Sequence, residues 1–284
     1  MEKKITIGKM NITFKYQYTD YFKDCLEGYR GEFNLEDSQV LEVVTKKELK
    51  AEVLQHAYHY KNRIKYYDDE ETEYVTYFPD ESIKHIIRFK NDFTHIRIEL
   101  SEKLNDRLPE YEYVLSGMMF FEIALKNNYQ PVHASAIKTN DSAILLSGPS
   151  KSGKSTQTEY YLSIDKKAQI INEDKPLINK VDDQVFVWGS PWSGKNVLNQ
   201  NVKVPLKAIF FLNKSDKTDI RPLEKNEKIK HLLRNIHRPG DETNIDNMIE
   251  VVNDIISNCN LYEFACENNQ TSALKLKAFL EEEL

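Results

Sequence analysis

The chain has 284 residues, of which 40% are apolar, 11% aromatic and 30% charged, with a net charge of -6. This is enough apolar material for one large domain or two smaller ones, and the well-mixed charges exclude a broad basic face for nucleic acid or an anionic membrane. Cys25, Cys259 and Cys266 form no CxxC pair, and an odd number of scattered thiols suits reduced packing residues in a cytoplasmic protein rather than a disulfide framework.

The opening MEKKITIGKM lacks the apolar core of a signal peptide, and the most apolar window, YVLSGMMFFEIAL (113 to 125), is too short to span a bilayer. Neither export nor membrane embedding is expected. The first hundred residues read mainly as strands: Met10, Ile12, Phe14, Tyr16 and Tyr18 alternate with polar residues, and SIKHIIRF and FTHIRIEL flank the turn KND as a hairpin. DDEETE (68 to 73) reads as a solvated loop. His56 and His59 of HAYH would need further ligands to hold a metal, so they read as a surface pair, as do His85 and His95.

A helix is expected from Glu110 to Asn127, with Val114, Met118, Phe121 and Leu125 as its core stripe. After it come short apolar runs, VHASAI, SAILLSG, AQIIN, VFVWG, LKAIFFLN and LYEFA, with helical patterns at roughly 154 to 165, 224 to 236, 247 to 259 and 271 to 284. This is an α/β layout. The expected division is a mostly β amino-terminal domain, residues 1–107, serving acceptor recognition or assembly, and an α/β domain, residues 108–284.

The second domain carries the chemistry. AILLSGPSKSGKSTQTEYYL holds Gly148, four residues, then Gly153, Lys154 and Ser155, the full GxxxxGK(S/T) phosphate-loop pattern between an apolar strand and a helix. The glycines let successive backbone N–H groups turn inward, and the helix N-terminus adds partial positive charge where phosphates sit. Lys154 is expected to reach the β and γ phosphates and Ser155 to ligate Mg²⁺, with Thr156 and the amides of Ser150, Lys151, Ser152 and Gly153 completing the cradle. Binding of a nucleoside triphosphate, ATP, follows.

AQIINEDKPLI places Glu173 and Asp174 at the carboxyl end of a short strand, beside such a loop. Two adjacent carboxylates can divide the work, one holding Mg²⁺ and the other, Asp174, accepting a proton from an attacking hydroxyl; the alternative is a charged turn before Pro176. FFLNKSD (210 to 216) raises a rival reading, because NKxD reads guanine in GTP-binding switches. No DxxG lies between Gly148 and Asn213, and only 65 residues separate them. The reading adopted is a polar turn closing the strand, with a GTPase-type switch or a non-catalytic nucleotide sensor as rivals.

The ordered blocks HASAI, LLSGPSKSGKST, IINEDKPLI, VWGSPWSGK and VPLKAIFFLNK, over about residues 131 to 266, resemble the HPr kinase/phosphorylase-like group of P-loop proteins, relatives of phosphoenolpyruvate carboxykinases. The likeness is stronger to the small HPr-kinase-related proteins of bacteria than to HPr kinase itself. It implies a P-loop kinase domain of that type, with His133 near the transferred phosphate and Glu173 and Asp174 as metal ligand and base. HPr kinases carry an extra glycine where this chain has Lys151, and usually two aspartates where it has Glu173 and Asp174. In WGSPWSGK, Trp192 and Lys195 are candidates to cover a substrate and meet phosphate charge, although Trp188 and Trp192 could equally close the core. Arg238 of HRPGDE is a candidate phosphate contact or a surface arginine. The expected activity is transfer of the γ-phosphoryl group of ATP to a hydroxyl, serine in a peptide or protein, or a small molecule. Self-association of the chain is left open.

Overall fold

Alternating apolar and polar residues in the first hundred positions build strands: β1 (Glu2–Ile7), β2 (Met10–Lys15), β3 (Gln39–Lys46), β4 (His56–Tyr60), β5 (Arg63–Tyr67), β6 (Glu71–Tyr77), β7 (Ile83–Lys90) and β8 (His95–Ser101), followed by α1 (Leu108–Lys126). The structure is a computed structural model and describes residues 1–22, 24–194, 198–240 and 242–283, the side chain of Thr243 apart. The strands form one sheet in the order β1-β2-β3-β8-β7-β6-β5-β4. β3 runs parallel to β2 and β8, and the other neighbours are antiparallel. The expected hairpin is β7–β8, with His85 opposite Leu100.

α1 packs against β3 and β8. It therefore belongs to the first compact unit, Met1–Asn127, and the second is Asn128–Leu284. The boundary expected near residue 107 moves to the far end of the helix, because the sequence texture changes at α1 but its packing partner lies upstream. The expected core stripe is also half wrong. Val114 and Met118 are 49% and 45% exposed, whereas Glu112, Leu115 and Met119 turn inward with Phe121 and Leu125. Every residue from Met119 to Leu125, Glu122 included, is buried, and a segment buried all round gives periodicity no phase to detect. Glu112 is held there by the backbone N–H groups of Gln17 and Tyr18, which donate to its carboxylate at 2.7 and 2.8 Å. Burial pushes its carboxyl up to about 6.

The second unit contains β9 (Gln130–Pro131), β10 (Ala134–Thr139), β11 (Ser142–Ser147), α2 (Lys154–Ile164), β12 (Gln169–Asn172), β13 (Leu177–Val181), β14 (Gln184–Trp188), β15 (Lys203–Lys214), β16 (Asp219–Pro222), α3 (Lys225–Asn235), α4 (Ile245–Asn258), β17 (Asn260–Cys266) and α5 (Gln270–Glu282). Its sheet runs β12-β10-β11-β15-β14-β13-β9, and β17 lies beside β15 and carries β16. β11, β15 and β17 are mutually parallel, while β10 and β12 are antiparallel to their neighbours. The period-two alternation of these strands feeds two cores. Leu145, Ile209, Phe211 and Leu261 pack with Leu232 of α3 and Val251, Val252 and Ile255 of α4. Ile144, Leu146, Phe210 and Phe264 pack with Tyr161 of α2 and Ala273 and Leu276 of α5. The mixed α/β class expected from the sequence is observed. All three cysteines are buried free thiols, and among the described residues no helix is long and apolar enough to cross a membrane.

Candidate functional site

β11 ends at Ser147, and the chain turns through residues 148–153 into α2, whose first residue is Lys154. Two glycines make that turn. Gly148 has φ 152°, and a Cβ there would stand 2.8 Å from Ser152 Oγ and 3.3 Å from the Leu212 carbonyl. Gly153 caps the helix at φ 101°, a left-handed conformation that suits glycine. Lys151 adopts φ 67° between them. The Lys154 ammonium donates to the carbonyls of Gly148 and Pro149 at 2.9 and 3.2 Å. Burial lowers its pKa, the Asp174 carboxylate opposes that shift and Lys175 adds to it.

A cleft of about 910 Å³ opens over this turn, lined from the loop and helix start by Ser150, Lys151, Gly153, Lys154, Ser155 and Thr156. Its size falls in the range of small-molecule sites, ~300–1,000 Å³. Ser152 is buried beneath it, and its N–H donates to the Pro149 carbonyl at 3.1 Å.

His133, Glu173 and Asp174 line the same cleft. His133 Nε2 stands 3.2 Å from Asp174 Oδ1. Burial pushes the Asp174 carboxyl up, but the neighbouring His133 imidazole and the positive charges of Lys175 and Lys154 prevail and leave it below the ordinary carboxylate value. Burial lowers Lys175, which Asp174 partly offsets. Each partner of the pair is fixed by its backbone. The N–H of His133 donates to the Asn235 carbonyl at 2.6 Å, and its carbonyl accepts from Ser147 Oγ at 3.0 Å. The Asp174 carbonyl accepts from the Ala134 N–H at 3.1 Å.

The residue that shapes the acidic turn is Asn172. It is fully buried, its Oδ1 accepts the N–H groups of Asp174 and Lys175 at 3.0 and 2.7 Å, and its Nδ2 donates to the Ser190 carbonyl at 2.9 Å. Asn is suited to such local bonding at a turn, so a weak signal is present in the sequence. Gly194 completes the wall, with φ 88° and its backbone against the Asp174 side chain. Ser155, Glu173 and Asp174 bring only oxygen donors to the cleft, which suits a hard divalent cation such as Mg²⁺. Among the described residues no group of three His, Cys, Asp or Glu side chains is gathered to hold a metal unaided.

No family model matches the chain, and no curated protein matches it. Among solved structures it is similar to the Hpr(Ser) kinase/phosphatase from Coxiella burnetii, at 13% identity and a TM-score of 0.33, over 54% of this chain and 94% of that one. A likeness at that level transfers neither activity nor substrate.

Other expected site residues fall elsewhere. Trp192 is 3% exposed and sits in the protein interior, so it does not cover the cleft; its successors Ser193 and Gly194 do line it. Lys195 lies outside the described residues. Arg238 is exposed and donates from Nε to the Leu233 carbonyl at 3.0 Å, closing the end of α3 rather than meeting the cleft. The turn after β15 is more than a strand ending. Lys214, Ser215 and Asp216 line the cleft, as do Cys266, which ends β17, and Asn268 beyond it. Asn213 is turned aside, its Nδ2 donating to Glu263 Oε1 at 3.5 Å. His56 and His59 are exposed on β4, as expected, but His85 is buried on β7.

Proposed function

We propose that the chain is an ATP-dependent phosphotransferase that moves the γ-phosphoryl group to a hydroxyl, that of a serine in a peptide or protein or of a small molecule. The observation that carries this reading is the meeting, in one cleft, of the glycine-flanked loop with Lys154 and the pair His133 and Asp174, whose Nε2 and Oδ1 lie 3.2 Å apart. The sequence resemblance to HPr-kinase-like P-loop proteins agrees with it. The absence of DxxG from the sequence disfavours a GTPase switch.

In this reading the loop amides and the start of α2 hold the phosphates, and Lys154 stabilises charge on the migrating group. Asp174, whose lowered pKa keeps it ionised at neutral pH, accepts the acceptor's proton as its oxygen bonds to the γ phosphorus. The bond from that phosphorus to the β–γ bridging oxygen breaks, and ADP leaves. His133 orients the carboxylate through Oδ1. Ser155, Glu173 and Asp174 would hold Mg²⁺, which when bound offsets repulsion between the phosphates and the incoming oxygen.

The test incubates γ-labelled ATP with peptides and small hydroxyl compounds, using wild type, Asp174→Asn and Lys154→Ala. Label is expected to reach an acceptor with wild type alone, Asp174→Asn is expected to bind ATP without transferring it, and Lys154→Ala is expected to lose ATP binding at least tenfold. Equal transfer by wild type and Asp174→Asn would remove the assigned base.

A further inference from the structure

The motif left over by this reading is NKSD. The sheet order gives the cleft a direction. β11, which feeds the loop, is central; β10 and β12 lie on one side and lead to His133 and to Glu173 and Asp174, while β15 and β17 lie on the other. Ser147 pairs with Phe211, and Lys214 pairs with Cys266. The turns after β15 and β17 therefore stand beside the loop, one and two strand spacings or about 5 and 10 Å from β11, on the flank away from the His133–Asp174 pair. If the phosphates occupy the loop with the γ group toward Asp174, the nucleoside is directed toward this other flank.

That flank is built as a fixed wall. The Ser215 N–H donates to the Cys266 carbonyl at 3.1 Å. Thr218 Oγ1 donates to Glu267 Oε2 at 2.8 Å and lies 2.7 Å from Ser272 Oγ, which bonds the Glu267 carbonyl at 3.0 Å. Gln157, on the helix that begins at Lys154, donates from Nε2 to that same carbonyl at 2.8 Å. Thr218, Ser272 and Gln157 are all buried, so the wall is tied to the phosphate cradle itself. Its exposed tips carry a carboxylate, Asp216, an amide, Asn268, and the Lys214 stem, which can lie over a flat ring. Cys266 contributes a neutral surface, because burial pushes its thiol up to about 11.

We propose that Lys214–Asp216 and Asn268 form the base-binding end of the cleft and select a purine carrying an amino group, whose N–H donates to the Asp216 carboxylate. This rests on the reading of the loop as a nucleoside triphosphate site. A carboxylate offers acceptors only, so it discriminates against a base that puts a carbonyl oxygen where adenine carries its amino group.

The test measures binding of ATP, GTP, ITP and inorganic tripolyphosphate by calorimetry to wild type, Asp216→Ala, Asn268→Ala and Lys154→Ala. Wild type is expected to bind ATP at least tenfold more tightly than ITP, which carries an oxo group in place of the adenine amino group. Asp216→Ala is expected to reduce that preference to within about twofold, with tripolyphosphate affinity unchanged. Asp216 and Asn268 are both exposed, so neither substitution threatens the fold. A wild-type preference that survives both substitutions, or no preference over ITP, while Lys154→Ala still abolishes tripolyphosphate binding, would overturn the base wall alone. Failure of wild type to bind any of the four ligands would overturn the triphosphate reading with it.

Discussion

Gly194 lies against Asp174 so closely that a Cβ at residue 194 would stand 3.1 Å from Asp174 Cβ and 3.6 Å from its Cγ and Oδ2. The contact couples the segment after β14 to the carboxylate assigned as base. Gly194→Ala is strained twice, by φ 88° and by this approach. The protein is expected to fold, to bind ATP within about twofold of wild type, and to transfer phosphate at least tenfold more slowly, as read by a binding titration and a labelled-ATP assay on one preparation.

Asn172 is expected to matter as much to stability as to activity. Asn172→Ala leaves the N–H groups of Asp174 and Lys175 without their acceptor and the Ser190 carbonyl without its Nδ2 donor. Unsatisfied buried groups cost about 1–3 kcal/mol each. Urea unfolding is expected to show a loss of about 2–4 kcal/mol at an unchanged slope, and phosphate transfer is expected to fall with it as the acidic turn loosens.

His85 predicts a pH dependence in the first unit. It is 7% exposed, its Nδ1 has no hydrogen-bond partner among the described residues, and burial, with Lys84 and Arg63 adding, lowers its pKa from 6.5 to about 4. The unfolded chain therefore takes up a proton before the folded one. The stabilising contribution is complete above pH 6.5 and is lost as pH falls toward 4, by about 3 kcal/mol at ~1.36 kcal/mol per pKa unit. The raised carboxyl of Glu112 acts in the opposite sense nearby, so the decisive comparison is wild type against His85→Leu in denaturant melts from pH 7.5 to 4.5. The difference between the two proteins is expected to change steadily across that interval, and a difference independent of pH would show that His85 is not buried neutral.

Legibility in the sequence followed locality. The loop was readable because its glycines, Lys154 and Ser155 are contiguous and bracketed by a strand and a helix, and Asp174 because it follows a strand directly. Asn172 looked like any turn residue until its two N–H partners were seen. Lys214–Asp216 and Asn268 are separated by about fifty residues and meet only through the parallel pairing of β15 with β17, which no local pattern announces. Trp192, read as either covering a substrate or closing the core, is buried, and Val114, expected in the core, is exposed: an aromatic or apolar letter does not say which way its side chain faces.

The central place of β11 has an evolutionary corollary. The cradle hangs from one strand tip, the His133–Asp174 pair from others on one side, and the Asp216 turn from others on the far side, so exposed tips such as Asp216 can be exchanged while the buried bonds that tie each flank to the cradle are kept. Descendants of such a scaffold are free to exchange their fuel without changing their client, or their client without changing their fuel.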